Sequence, residues 1–187
     1  MVTAFLEKHE WKEPRLVFTV PLPAREPVFM SMNVTDYGKK NFGIVIVDAQ
    51  KFLRLWRAER RKTYREGANG TPKTWPNDYK YHGAAKGFSH GRENPVPLAH
   101  ISFLPLSQPS VICKLLNLVR PERQNQSHYI AFSDGITRTI WLLTQGCVAF
   151  PVKCGMSSAL QLFEAAGAEG TSFHSLADLI EITTAHQ

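Results

Sequence analysis

Residues 132–152 read FSDGITRTIWLLTQGCVAFPV. The segment opens as the end of a strand, turns at Asp134-Gly135, forms one short helix that Gly146 closes, and leaves as a second strand. Within the helix Ile136, Ile140 and Leu143 fall on one stripe and are expected to face the core. Arg138 stands two residues from Ile136, about 200° around at helical pitch, and so is expected to point away from that core. A cation in the first turn opposes the helix dipole. It is tolerated where an anion sits between it and the free N–H groups, so the turn reads as a phosphate site with Arg138 as its charged arm. A plain surface pair between Arg138 and Asp134 is the alternative reading. Asp134 is expected to be the N-cap of the helix, with Thr137 three positions on.

Working outward, VPLAHISFL (96–104) reads as a strand, PSVICKLLNLVR (109–120) as a helix stopped by Pro121, ERQNQS (122–127) as a polar loop and HYIAFS (128–133) as a strand. After the quoted turn, SSALQLFEAAG (157–167) and SLADLIEITTAH (175–186) read as helices, the second opened by a Ser-x-x-Asp cap. Upstream, RLVFTVPL (15–22) and PVFMSMNV (27–34) are strand-like. NFGIVIVDAQKFLRLWRAER (41–60) reads as a buried strand, Ile44 to Val47, followed by a helix that Asp48 caps. The fold class is therefore α/β, of the α+β kind, in three segments: strands and a helix over 1–61, a basic loop over 62–94, and a core with C-terminal helices over 95–187.

The net charge of +6 is unevenly placed. Residues 51–92 hold eleven Lys and Arg against three acids, so the remainder of the chain is slightly acidic. Trp56, Tyr64, Trp75, Tyr79, Tyr81 and Phe88 lie among these cations, and 62–94 has no periodicity. Cations mixed with aromatics offer phosphate neutralisation and stacking faces, which points to nucleic acid. Arg54, Arg57, Arg61, Lys73, Lys80 and Lys86 are the candidate DNA contacts; a merely solvated basic face is the alternative. Three cysteines without Cys-x-x-Cys spacing read as reduced structural thiols. No apolar run is long enough to span a membrane, and the N-terminus breaks into charge too early for a signal peptide, so a cytoplasmic protein is expected.

Asp-Gly-x-x-Arg, a short helix, a glycine and Val-x-x-x-Pro-Val together resemble the signature turn of the ParB/sulfiredoxin superfamily. The strand, proline-containing turn and helix of 96–120 are similar to the elements that precede that turn, and the likeness covers residues 95–154. It implies a ParB/sulfiredoxin-like core carrying a basic N-terminal α/β extension. Sulfiredoxin places a cysteine and a histidine immediately before the arginine, where this chain has Ile136 and Thr137, which excludes sulfinic acid reduction. The chain also lacks the doubled arginine and helix-turn-helix of chromosomal ParB. Length, basic segment and motif together resemble the plasmid fertility inhibition factors, which block DNA transfer by type IV secretion. That resemblance implies ATP hydrolysis and a metal-dependent deoxyribonuclease, with Mg²⁺ as the metal and the transferred DNA strand as substrate.

Such chemistry needs positive charge on phosphate oxygens and a metal held by carboxylates. Gly135, Thr137, Arg138 and Lys114 are the candidate phosphate contacts. Glu93, in HGRENP, and Asp134 are the candidate metal ligands or base, so the expected catalytic group is Glu93, Asp134 and Arg138. His82 and His90 are weaker candidates for ligands. With so few carboxylates, a binding module that holds nucleotide or DNA and occupies a secretion or coupling protein remains the rival reading.

Overall fold

Alternating apolar and β-branched residues build the first three strands, β1 (Thr3–His9), β2 (Lys12–Leu22) and β3 (Arg25–Asn33), which form an antiparallel meander. The computed structural model describes residues 1–9, 12–58, 65–106 and 128–185. A short helix α1 (Asp36–Asn41) follows, capped by the Thr35 hydroxyl, which accepts from the Gly38 amide. The expected strand-to-helix unit is present as β4 (Phe42–Asp48) and α2 (Ala49–Arg57). Asp48 caps α2, its Oδ1 accepting from the amides of Gln50 at 3.0 Å and Lys51 at 2.7 Å.

Segment 62–94 departs from the expectation of a loop. Among its described residues are α3 (Arg65–Asn69), a 3₁₀ turn (Trp75–Asn77) and α4 (Tyr81–Ser89). The aromatics there are anchors: Trp75, Tyr81 and Phe88 are buried, as is Trp56 on α2. Trp75 Nε1 donates to the Gly67 carbonyl at 2.7 Å, and a side chain at Gly70 would collide with its indole. Phe88 stacks on Trp141 at 4.3 Å, and Gln145 donates to the Tyr81 hydroxyl. Burial of large apolar surface holds these short helices where local periodicity could not. The expected stacking role is thereby corrected for Trp56, Trp75, Tyr81 and Phe88; Tyr79 is exposed, and Tyr64 lies outside the described residues.

The chain then runs through β5 (Val96–Pro97), β6 (Ala99–Pro105), β7 (His128–Asp134), α5 (Ile136–Thr144), β8 (Ala149–Gly155), α6 (Met156–Ala166), β9 (His174–Ser175) and α7 (Leu176–Ala185). The expected helix 109–120, with Lys114, lies outside the described residues. Two sheets result, with orders β1-β2-β3-β5 and β7-β6-β8-β4-β9. β5 pairs parallel with β3, and only Leu98 separates it from β6 in the second sheet; the Leu98 amide donates to Ser31 O at 2.9 Å. β4 lies between β8 and β9, so this sheet runs across the boundary expected at 62–94. The fold is mixed α+β around one continuous core, with Phe52, Trp56, Phe132 and Phe150 meeting edge to face beneath α2. Ser175 and Asp178 form the expected reciprocal cap of α7. Cys147 and Cys154 are free and buried, and burial pushes their thiols up to about 11 and about 12. Among the described residues no helix is long and apolar enough to cross a membrane.

If segment 62–94 belongs to the core, Trp75→Ala lowers unfolding stability by about 3–5 kcal/mol in urea titrations. A loss within about 0.5 kcal/mol would make Trp75 a surface residue and the segment a loop after all.

Candidate functional site

β7 ends at Asp134 and α5 begins at Ile136, so Gly135 alone makes the turn. Its φ of +96° lies in a region that side-chain-bearing residues rarely adopt, and a Cβ there would stand 2.7 Å from Ala99 Cα. The turn therefore presses directly on β6. The N-cap of α5 is Gly135, with no capping side chain, which corrects the expectation for Asp134. Strand pairing with His100 keeps Asp134 in β7, and its carboxylate turns to the guanidinium one helical turn on. Arg138 Nη2 donates to Asp134 Oδ2 at 2.6 Å. The Thr139 hydroxyl donates to the Gly135 carbonyl, fixing the first turn.

Arg138 is more enclosed than its position on the helix suggested, with its side chain 20% exposed against 69% for Asp134. Its Nε is buried and meets no acceptor in the structure. A buried donor without an acceptor costs free energy, so this atom is a standing invitation to an anion. Beside it opens a cavity of about 470 Å³ lined by residues 132–138, by Val96 and Pro97 of β5, and by Lys80, Gly83, Ala84 and Gly87 at α4. Lys80 and Arg138 bring two cations to this lining, against the single carboxylate of Asp134. The free N–H groups at the start of α5 reinforce the preference for negative charge.

The candidate residues divide accordingly. Asp134, Gly135, Thr137 and Arg138 come together at the cavity. Glu93 is exposed on the turn before β5, outside the lining, and its carbonyl accepts from Arg15 Nη2. Lys114 and Arg61 lie outside the described residues. Arg54, Lys73 and Lys86 are exposed, whereas Arg57 is occupied in holding the Ala68 and Gly70 carbonyls. Lys80 belongs to both groups, since it is part of the basic segment and lines the cavity; its ammonium lies 5.3 Å from the Tyr79 ring centre. His82 and His90 are exposed, and among the described residues no three His, Cys, Asp or Glu gather to hold a metal.

Two residues without any sequence signal join the site through sheet register. His100 of β6 pairs with Asp134 on one side and with Lys153 of β8 on the other. Burial alone would raise the Asp134 carboxyl, but the hydrogen bond and charge of Arg138, the Gly135 amide and the charge of Lys153 together bring it below the usual range. Burial and repulsion from Arg138 depress Lys153, while Asp134 opposes them. His100 is depressed by burial and by Lys153, again against Asp134.

The chain matches the family described as Plasmid Fertility inhibition factor over residues 44–167, about two thirds of its length. It is 30% identical over 161 residues to Protein osa of Shigella flexneri, covering 84% of this chain and 70% of that protein. Among solved structures it is similar to the Oncogenic Suppression Activity Protein, a plasmid fertility inhibition factor crystallised as a gold(I) cyanide derivative. That likeness has a TM-score of 0.73 at 25% identity, over 99% of this chain and 85% of the other.

Asp134 owes its depressed pKa to the pair, so its contribution to stability is present above the unfolded carboxylate range and fades as pH falls through the folded value. In Arg138→Ala the carboxyl loses its main hydrogen bond while its burial remains, and its ¹³C-detected titration midpoint should move upward. An unchanged midpoint would mean that Arg138 does not control Asp134.

Proposed function

Because the chain belongs to the plasmid fertility inhibition factor family, we propose that it blocks conjugative DNA transfer through type IV secretion by binding and hydrolysing ATP at the Gly135–Arg138 turn and cutting the transferred DNA. Arg138 carries this reading. It is an enclosed guanidinium at a helix N-terminus, with one nitrogen lacking an acceptor, on the wall of a cavity that a second cation also enters. Phosphate oxygens satisfy all of these donors together. Arg138 and Lys80 then supply the positive charge that phosphoryl transfer places on non-bridging oxygens.

The donor set fits Mg²⁺ carried by a nucleotide. Mg²⁺ is commonly held by one or two carboxylates, substrate phosphates and water, and Asp134 provides the carboxylate. A phosphate that takes over Arg138 releases an Asp134 oxygen for the ion. Asp134 would hold the metal, which would supply charge neutralisation on the phosphates, and Arg138 would orient the phosphoryl group. The residues present do not fit a pair of metals, because the lining contains one carboxylate and Glu93 lies outside it.

DNA would run along the exposed lysines Lys73 and Lys86 towards Lys80, where the basic segment meets the cavity. The shortage of carboxylates favours a second reading, in which the cytoplasmic protein holds nucleotide or DNA without cutting and inhibits transfer by occupying a coupling protein.

Purified wild type, Arg138→Ala and Glu93→Ala are compared for ATP hydrolysis and for nicking of labelled single- and double-stranded DNA with Mg²⁺. The expected outcome is that Arg138→Ala loses ATP turnover by at least about a hundredfold, as removal of a transition-state charge does. Nicking that Arg138→Ala abolishes, in a folded protein, supports a nuclease at the cavity, and its loss in folded Glu93→Ala would bring Glu93 into the catalytic group although it lies outside the lining. Binding of ATP or DNA without turnover selects the second reading.

A further inference from the structure

The row Asp134, His100, Lys153 crosses three adjacent strands of the second sheet, with a register shift at His100/Ile101, and both His100 and Lys153 feel the charge of Asp134. Neighbouring strands lie about 4.8 Å apart, so the backbones of Asp134 and Lys153 stand roughly 10 Å apart. Arg138 closes one end of the row through its bond to Asp134. Lys153 closes the other. Its ammonium sits 5.2 Å from the centre of the Phe42 ring, and the His100 ring meets the same ring edge-on at 5.1 Å. Phe42 thus fixes both side chains from β4. Lys153 is only partly exposed, and among the described residues no carboxylate comes within 4 Å of it. Asp134 is the acid whose charge Lys153 feels, and that carboxylate is already bonded to Arg138, so one acid serves two cations.

We propose that Lys153, which lies outside the cavity lining, is a further phosphate-binding residue beside Arg138 and Lys80, so that the site takes a chain of condensed phosphates, as in a nucleoside triphosphate, in preference to a lone phosphate. The inference rests on the reading of the Gly135–Arg138 turn as a nucleotide phosphate site and adds to it the length of the phosphate chain. A single phosphoryl group is too small to touch both ends of a row three strands wide. A triphosphate reaches from the guanidinium towards the ammonium, passing over Asp134. Arg138 and Lys153 repel each other and share the single charge of Asp134, which leaves the row net positive.

The test is equilibrium binding, with Mg²⁺ present, of ATP, inorganic tripolyphosphate, AMP and a short oligothymidylate to wild type, Lys153→Met, Lys153→Gln and Lys153→Arg. Lys153→Met and Lys153→Gln should weaken ATP and tripolyphosphate about tenfold, the scale of one lost charged hydrogen bond, and leave AMP unchanged. Unchanged AMP binding also certifies that each variant is folded, and Lys153→Arg should keep most of the triphosphate affinity. Equal loss for AMP, no loss at all, or a loss confined to oligothymidylate would each overturn the assignment. A wild type that binds none of the phosphate probes would overturn the nucleotide reading and this inference with it, whereas intact ATP binding in the Lys153 variants sinks the inference alone.

Discussion

The contact between Gly135 and Ala99 is the constraint on which the site depends. A strand must become a helix within one residue while lying flat against β6, and any side chain at that residue would enter the Ala99 backbone. The closeness of the approach has two results. It holds Asp134 in register with His100, so that its carboxylate cannot swing back to cap the helix. It also brings the Arg138 guanidinium down beside Gly135, where one of its nitrogens loses contact with water. Glycine costs conformational entropy on folding, roughly 0.5–1 kcal/mol relative to alanine in a regular element, and here that cost secures the geometry of a whole wall of the cavity.

Electrostatics at this wall are deliberately unbalanced. Asp134 is the sole acid lining the cavity among the described residues, and it is bound to the cation next to it. Lys80 stands at the same lining, and Lys153 across the sheet shares the Asp134 charge with Arg138. The Asp134 side of the pair is 69% exposed, and an ion pair so open to water is worth about 0–1 kcal/mol, so it is weak enough to exchange for a ligand. A phosphate carries more charge than one carboxylate and offers more acceptors, and it competes on favourable terms for the same guanidinium. On the proposed reading the pair keeps Arg138 aligned for an anion that would displace Asp134, which is a different role from stabilising the fold.

What could be read from the sequence is the part of the structure with local causes. The alternation in 15–22 and 27–34, the Asp48 cap, the strand-turn-helix at 132–144 and the Ser175/Asp178 cap all depend on residues within a few positions of one another. The four residues of the turn itself were found because glycine and a first-turn arginine have local reasons to be together. Segment 62–94 escaped for the opposite reason: Trp75, Tyr81 and Phe88 are spaced irregularly, and besides Gly67 within the segment, what makes them core residues is the arrival of Gln145 and Trp141 from elsewhere in the chain. His100 and Lys153 carry no motif, and they stand beside Asp134 only because β6 lies between β7 and β8. Asp134 itself had two local options, capping or pairing, and the register of the sheet chose between them.

The position of the cavity follows from the way the two sheets are joined. β5 belongs to the first sheet and β6 to the second, and Leu98 alone lies between them, tied back to Ser31. Val96 and Pro97, the residues of β5, form one side of the cavity, while Asp134 and Arg138 at the end of the second sheet form the other. α4 completes the lining from the basic segment and is held by the stacking of Phe88 on Trp141 of α5. A ligand in this cavity therefore touches the first sheet, the second sheet and the basic segment at once. Binding at such a junction stabilises all three against separation, because only the assembled fold presents the complete site. On the proposed reading one residue serves both nucleotide and DNA because Lys80 is where the basic segment meets the cavity.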